Sequence, residues 1–191
     1  MQNIAIFIIG IITFANSLLI SDILEKQNEK VELYGEYTTP AMRQAIIIKG
    51  DDFKICSIPL DENLQKFTYA LCKAYNIDYS FVLAIMEQES GFNVNAAHAG
   101  NYGLMQINAI NAEMLEKNLG IKDLKDPYNN IRAGIFMLHT LFERYYDKEK
   151  VLMAYNLGEG GAKILWDKGV FETKYVNSVL ARQGKYQRLD K

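Results

Sequence analysis

The residues best suited to chemistry lie in one stretch, residues 87–108, which reads EQESGFNVNAAHAGNYGLMQIN. Within it, Glu89 follows an apolar run and precedes a polar loop of small residues. Burial beside apolar side chains disfavours the charged form of a carboxyl group and raises its pKa. The partial negative charge at a helix C-terminus acts in the same direction. Glu89 is therefore predicted to keep its proton near neutral pH, as a general acid must.

Other kinds of site have less support in the sequence. The two histidines, His98 and His139, are not spaced as a pair of metal ligands, and no CxxC or HExxH motif occurs. No metal and no cofactor is therefore expected. Composition does not exclude a Ser-His-Asp triad, but the nucleophile-elbow motif GxSxG is absent. The glycine-rich run at 158–161 lies between helical patterns and is interpreted as a flexible turn.

Composition and charge are those of an ordinary folded domain. Of the 191 residues, 49% are hydrophobic and 23% are charged, which provides for a core and is not typical of a disordered chain. The formal net charge is -2. Because nucleic-acid binding requires a basic surface, nucleic acid is not expected as a partner.

The first twenty residues form a distinct apolar segment. Residues 4–20 resemble the apolar core of a secretory signal, with Ala15 and Ser17 at a suitable cleavage site. No Lys or Arg precedes Ile4, so an uncleaved membrane anchor is an alternative, although the segment is short for a span. Both interpretations place the remainder of the chain outside the cytoplasm. A buried helix is the third alternative.

Residues 21–60 carry no motif with chemistry and are predicted to be an N-terminal extension. Residues 42–48 favour a short strand or an apolar docking segment, residues 50–52 a turn, and residues 53–58 a half-buried strand. Cys56 in this extension and Cys72 beyond it are compatible with one disulfide in an oxidising compartment, or with two separate buried thiols.

Helical patterns dominate from Asp61 onward and predict one helical domain over residues 61–185. N-capping aspartates and apolar periodicity predict helices at 61–75, 79–89, 110–119, from 127 onward, and at 149–156, 162–168 and 174–182. In the second of these, Glu89 shares a face with Ile85 and Met86. Glu87 points to roughly the opposite side of that helix, so Glu89 is the acid that faces inward.

Several short motifs occur in this domain in a fixed order. They are Glu89-Ser90-Gly91-Phe92, Asn95-Ala96, Gly103-Leu104-Met105-Gln106-Ile107, Asp126-Pro127 with Asn130-Ile131, Ala154-Tyr155-Asn156 with Gly158, and Tyr175-Val176. Through them the chain from about residue 64 to 179 resembles the soluble lytic transglycosylase family. The resemblance implies a mainly α fold of the α+β, goose-type lysozyme-like superfamily, with a single helical catalytic domain and a short N-terminal extension.

The resemblance also implies an activity and its residues. Such enzymes cleave the β-1,4 bond between N-acetylmuramic acid and N-acetylglucosamine in peptidoglycan glycan strands, and leave 1,6-anhydromuramoyl ends. One glutamate, here Glu89, serves as acid and then as base, in keeping with the absence of a second acid in a matching motif. The implied substrate-binding residues are Ser90, Gln106, Asn108, Tyr155 and Asn156. Loop hydrogen bonding for Gln106 and helix capping for Asn156 are the alternatives.

The chain departs from the family pattern near the loop. His98 replaces a usual serine, and Ala109 and Asn111 replace a usual proline and threonine. The segment at 100–103 reads GNYG where Gly-Ala-x-Gly is usual. These differences concern the shape of the groove and its sugar preference. Two alternatives to the transglycosylase remain, a hydrolytic muramidase on the same fold and a catalytically silent protein that binds glycan or takes part in cell-envelope machinery.

Overall fold

The computed structural model describes residues 53–189, without the side chain of the last residue. Its helices are α1 (Glu62–Ala74), α2 (Tyr79–Ser90), α3 (Ala112–Leu119), α4 (Pro127–Tyr145), α5 (Lys148–Trp166) and α6 (Lys174–Leu189). Between α2 and α3 lie β1 (Ala97–His98), β2 (Asn101–Tyr102), β3 (Ile107–Asn108) and a 3-10 turn (Ala109–Asn111). The strands pair antiparallel in the order β1-β2-β3. The mainly α, α+β fold class that the sequence predicted is confirmed.

The predictions for residues 1–52 lie outside the described residues. They include the signal or anchor at 4–20, the strand or docking segment at 42–48 and the turn at 50–52. Across residues 53–189, none of the helices has both the length and the apolar character that a membrane span requires.

Aspartates begin four of the helices, as the sequence predicted. Their carboxylates accept hydrogen bonds from backbone N–H groups of the first helical turn, which have no partner inside the helix. These caps are Asp61 on α1, Asp78 on α2, Asp126 on α4 and Asp147 on α5. Gly120 ends α3 at a φ of 70°, in the left-handed region that favours glycine, which was also expected.

The centre of the core is α2. Its residues 81–86 are all buried, and it packs against α1 on one side and α6 on another. A helix that is apolar all round is stable only inside a protein, because each exposed face would leave apolar surface in water. The C-terminal end of α2 therefore delivers residues 87–90 to a fixed place at the edge of the core.

A single glycine bends α5. Gly158 has a φ of 69° and a ψ of 157°, and the residues on both sides of it are helical. The predicted four-residue turn at 158–161 is therefore confined to one residue. An added Cβ at Gly158 would contact nothing within 4 Å, so the backbone conformation and not crowding favours glycine here.

Three predictions about secondary structure were wrong in detail. Residues 53–58 form no strand; instead the Gln65 side chain binds both the N–H and the C=O of Cys56, at 2.9 and 3.1 Å. Residues 109–111 form a 3-10 turn, so α3 begins only at Ala112. The last helix continues to Leu189, because Gln183 and Tyr186 extend its buried face. Cys56 and Cys72 are both buried and are not linked to each other.

Candidate active site

Glu89 lies in the last turn of α2 and lines a groove of about 1120 Å³. Its Oε1 atom accepts a hydrogen bond of 2.5 Å from the hydroxyl of Tyr175, the second residue of α6. Burial raises the pKa of Glu89, while the Tyr175 hydrogen bond acts against that rise because it stabilises the charged form. The raised pKa that the sequence predicted is confirmed in direction. Glu87 instead faces α6, where it accepts from Tyr186 at 2.6 Å.

Sequence reasoning missed the role of Tyr175. The pair Tyr175-Val176 stood out as a motif, but its partner Glu89 lies 86 residues earlier in the chain. Val176 is fully buried, and it fixes the first turn of α6 against the core so that Tyr175 faces Glu89. Burial and the Glu89 carboxylate both raise the pKa of Tyr175, so its hydroxyl stays neutral and remains a donor.

Tyr155 is the second phenol near Glu89. It comes from α5, three residues before the bend at Gly158, and its hydroxyl donates to the carbonyl oxygen of Met105 at 2.9 Å. Burial and the nearby Glu89 charge raise the pKa of Tyr155 well above its ordinary value. Glu89 therefore has two neutral phenols near it and no cation bound to it in the described part of the chain.

Two of the predicted substrate-binding residues bind the loop that follows α2. Ser90 Oγ is hydrogen-bonded to the carbonyl oxygen of Leu104 at 2.9 Å and to that of Met86 at 3.1 Å. Gln106 Nε2 donates to the carbonyl oxygens of Gly103 at 2.9 Å and Ala96 at 3.3 Å. Gln106 therefore makes the loop hydrogen bonds that were considered as its alternative role, and it also lines the groove.

Asn130 is a buried anchor for the same loop, and sequence reasoning gave it no role. Its Oδ1 accepts from Met105 N at 2.9 Å, and its Nδ2 donates to the carbonyl oxygens of Tyr102 at 2.7 Å and Leu124 at 2.9 Å. A Cβ added at Gly103 would lie 2.6 Å from the Asn130 Cγ atom. The absence of a side chain at Gly103 is thus what allows the loop to approach α4.

Asn108 and Asn156 line the groove on different elements. Asn108 Nδ2 donates to Asn101 Oδ1 at 3.0 Å, and Asn108 Oδ1 accepts from Ile110 N at 3.0 Å. Asn156 is exposed within α5 and does not cap a helix, contrary to the alternative considered for it. Of the six predicted site residues, only Ser90 does not line the groove. His98 lines it as well, from β1.

A second acid, Glu159, also lines the groove. Its carboxylate accepts from the Tyr145 hydroxyl at 2.5 Å and from Nη1 of Arg144. These hydrogen bonds and the Arg144 charge lower the pKa of Glu159, whereas the pKa of Glu89 is raised. The sequence showed no second acid in a motif that matches the family. Glu159 does not change that conclusion, because an acid held in an ion pair is poorly suited to donate a proton. Among residues 53–189, no three His, Cys, Asp or Glu side chains cluster as metal ligands.

The helical domain of this chain is similar to known proteins. The transglycosylase SLT domain matches residues 68–175. The membrane-bound lytic murein transglycosylase C of Haemophilus influenzae is 32% identical over 142 residues, a match that covers 62% of this chain and 40% of that protein. A transglycosylase of Enterobacteria phage PRD1 is 34% identical over 89 residues, covering 46% of this chain and 32% of that protein. The chain thus spans less than half the length of these relatives.

Among solved structures, an inactive mutant of the lytic transglycosylase Slt from Pseudomonas aeruginosa matches with a TM-score of 0.59. The match covers 86% of this chain and 30% of that one, at 22% sequence identity. At that identity the likeness concerns the fold alone.

Proposed function

The chain belongs to the transglycosylase SLT domain family, and we propose that it is a peptidoglycan lytic transglycosylase. Its substrate would be the β-1,4 bond between N-acetylmuramic acid and N-acetylglucosamine in glycan strands. The observation that carries the proposal is Glu89, a carboxyl group with a raised pKa that lines an open groove. The groove, at about 1120 Å³, exceeds the roughly 300–1,000 Å³ of ordinary small-molecule pockets, as an oligosaccharide requires.

The proposed reaction needs one acid. Protonated Glu89 donates its proton to the glycosidic oxygen as the bond between that oxygen and C1 of the muramoyl sugar breaks. The N-acetyl group of the substrate supports the positive charge that develops at C1. The Glu89 carboxylate then removes the proton of the C6 hydroxyl, whose oxygen attacks C1 and closes the 1,6-anhydro ring. The proton returns to Glu89, and no water is consumed.

The phenols near Glu89 fit this cycle. The Tyr175 hydroxyl can donate to Glu89 Oε1 when the carboxylate forms, and it holds that oxygen in place so that the other is available for the substrate. Because both Tyr155 and Tyr175 have raised pKa values, both hydroxyls keep their protons. Of these three groups, Glu89 is the one that becomes negatively charged during the cycle. In this proposal Gln106, Asn108 and Asn156 contact the sugar rings, whereas Ser90 supports the loop that shapes the groove.

Hydrolysis by water on the same fold is the nearest alternative, and silent glycan binding is the next. Mass spectrometry of purified cell wall digested with the protein separates all three. A transglycosylase yields anhydromuramoyl ends, and the Glu89→Gln variant yields no products. Reducing ends without anhydro ends would show a muramidase, and wall binding without products from the wild-type protein would show a silent binder.

A wall substrate places the catalytic part of the chain outside the cytoplasm. We accordingly propose that residues 61–185 form the catalytic domain, with residues 21–60 as an extension and residues 4–20 as a signal peptide or a membrane anchor. N-terminal sequencing of the mature protein decides between cleavage and anchoring, since an intact Met1 would exclude a cleaved signal.

A further inference from the structure

The groove continues along α4 beyond the region of Glu89. Asn130, near the start of this helix, anchors the loop that follows α2 (residues 91–108, the catalytic loop), and Gly134 one turn later contacts Met105. The later residues Phe136, Met137, Thr140, Leu141 and Arg144 then line the groove. Arg144 is ten residues beyond Gly134, which corresponds to roughly 15 Å along the helix. This part of the groove thus extends well past the loop.

Arg144 is held in a defined orientation at that end. Glu159, the first residue after the bend in α5, binds Nη1 of Arg144 through both carboxylate oxygens and also accepts from Tyr145. The side chain of Arg144 is nevertheless 55% exposed, and that of Glu159 is 41% exposed. A guanidinium group has five N–H donors, so its contacts with Glu159 leave donors for a ligand.

Arg144 can bind an anionic ligand group at this point by direct contact. Among the lining residues of the groove in the described part of the chain, Arg144 carries the one permanent positive charge. Glu159 cancels most of its long-range field, so attraction depends on close contact and not on steering. The planar fork of arginine fits a carboxylate through two parallel hydrogen bonds.

We propose that Arg144, oriented by Glu159 and Tyr145, binds a carboxylate on a muramoyl substituent of the glycan strand in the groove. The inference rests on the proposed function and adds to it a preference among glycan strands. The carboxylate belongs either to the attached peptide or, on strands without peptide, to the lactyl group itself. Arg144 is a specificity-determining residue and Glu159 a positioning residue in this proposal.

The test compares one substrate in two forms. Soluble uncrosslinked glycan strands with their peptides are used as prepared and after the carboxyl groups are converted to amides. We expect the wild-type protein to show a KM about fivefold to tenfold lower for the carboxylate form, with kcat unchanged. Arg144→Gln should lose this difference by raising KM for the carboxylate form only. Glu159→Gln should reduce the difference in KM between the two forms only partly. The guanidinium group of Arg144 is still present in this variant, but Glu159 no longer holds it in one orientation.

Controls separate binding from folding and from charge in general. Lys163→Gln removes a positive charge from an exposed position of α5 outside the groove, and it should leave both KM values unchanged. Strands freed of peptide keep the lactyl carboxylate. A preference that persists on them assigns the contact to that group, and one that disappears assigns it to the peptide.

Two results would overturn the inference. One is equal KM values for the carboxylate and amide forms with the wild-type protein. The other is a loss in Arg144→Gln that affects both forms alike, which would indicate a structural role. Failure of the proposed function looks different, because the wild-type protein would then release no anhydro products from either form.

Discussion

Replacing Tyr175 by Phe removes the hydroxyl that donates to Glu89 Oε1 at 2.5 Å and keeps the ring. In the wild-type protein, burial raises the pKa of Glu89 and this hydrogen bond lowers it. A hydrogen bond to a charged group contributes about 1.5–3 kcal/mol. Its loss should therefore raise the pKa of Glu89, because the hydrogen bond stabilises the charged form. Glu89 lines an open groove where water can replace part of the contact, so the lower of these energies is expected.

The shift is measured by NMR titration of the Glu89 carboxyl carbon in the wild-type protein and in Tyr175→Phe. The pH profile of the reaction gives a second measurement. Because the first step requires protonated Glu89, the alkaline limb of the rate should move to higher pH in the variant. At the pH optimum, kcat should fall by roughly tenfold, because the carboxyl group is no longer held in one orientation.

Tyr146→Phe is the matched control, since Tyr146 follows α4 and is 83% exposed. It should change neither the pKa of Glu89 nor the pH profile. If Tyr175→Phe left the pKa of Glu89 unchanged or lowered it, the assignment of Tyr175 as the group that stabilises the Glu89 carboxylate would be refuted. A fall in kcat with an unshifted pH profile would refute it equally.

Three further predictions concern stability. Asn130→Ala leaves three backbone groups without their side-chain partner, so it should lower the free energy of unfolding, measured in urea, by about 3–5 kcal/mol. The control Asn118→Ala loses one exposed hydrogen bond and should cost under about 1 kcal/mol. Gly158→Ala should cost about 1–3 kcal/mol, because essentially only glycine combines a φ of 69° with a ψ of 157°. Gly160→Ala, which has open space and lies in the helix, should be neutral or stabilising, and equal values for the two would contradict the bend. The raised pKa of Glu89 means that its contribution to stability is present below the unfolded pKa of about 4.3 and is lost as the pH rises through the folded pKa. The Tm of Glu89→Gln relative to that of the wild-type protein should therefore increase as the pH is raised from about 4.

Local patterns predicted the helices and the placement of Glu89 well, for a physical reason. A capping aspartate acts on the N–H groups of the next turn, and an apolar run such as 81–86 must be buried wherever it lies. Both effects act within a few residues. The alternation of apolar and polar residues at 53–58 led to a wrong strand prediction. Alternation indicates that one side of a segment is buried, and this does not require a neighbouring strand. Here the Gln65 side chain binds the backbone of Cys56, as a neighbouring strand would.

Local sequence patterns could not predict the contacts that complete the site. The Tyr175 hydroxyl reaches Glu89 only because α6 packs on α2, and Asn130 reaches Met105 only because Gly103 and Gly134 allow the loop to lie on α4. These contacts join residues 86 and 25 positions apart. A period or a spacing along the chain carries no information about such pairs.

The shape of the catalytic loop explains why motif residues and specificity residues differ. Gln106 has a φ of 47°, a strained value for a residue with a Cβ, and its side chain secures that conformation by binding Gly103 and Ala96. Its identity therefore follows from the loop, whatever sugar occupies the groove. His98 and Arg144 line the groove and donate no side-chain hydrogen bond to this loop in the described part of the chain. Changes at such positions leave Glu89 and the hydrogen bonds of its loop intact. Under the proposed function, they are therefore positions at which members of the family can differ in the glycan strands that they cut.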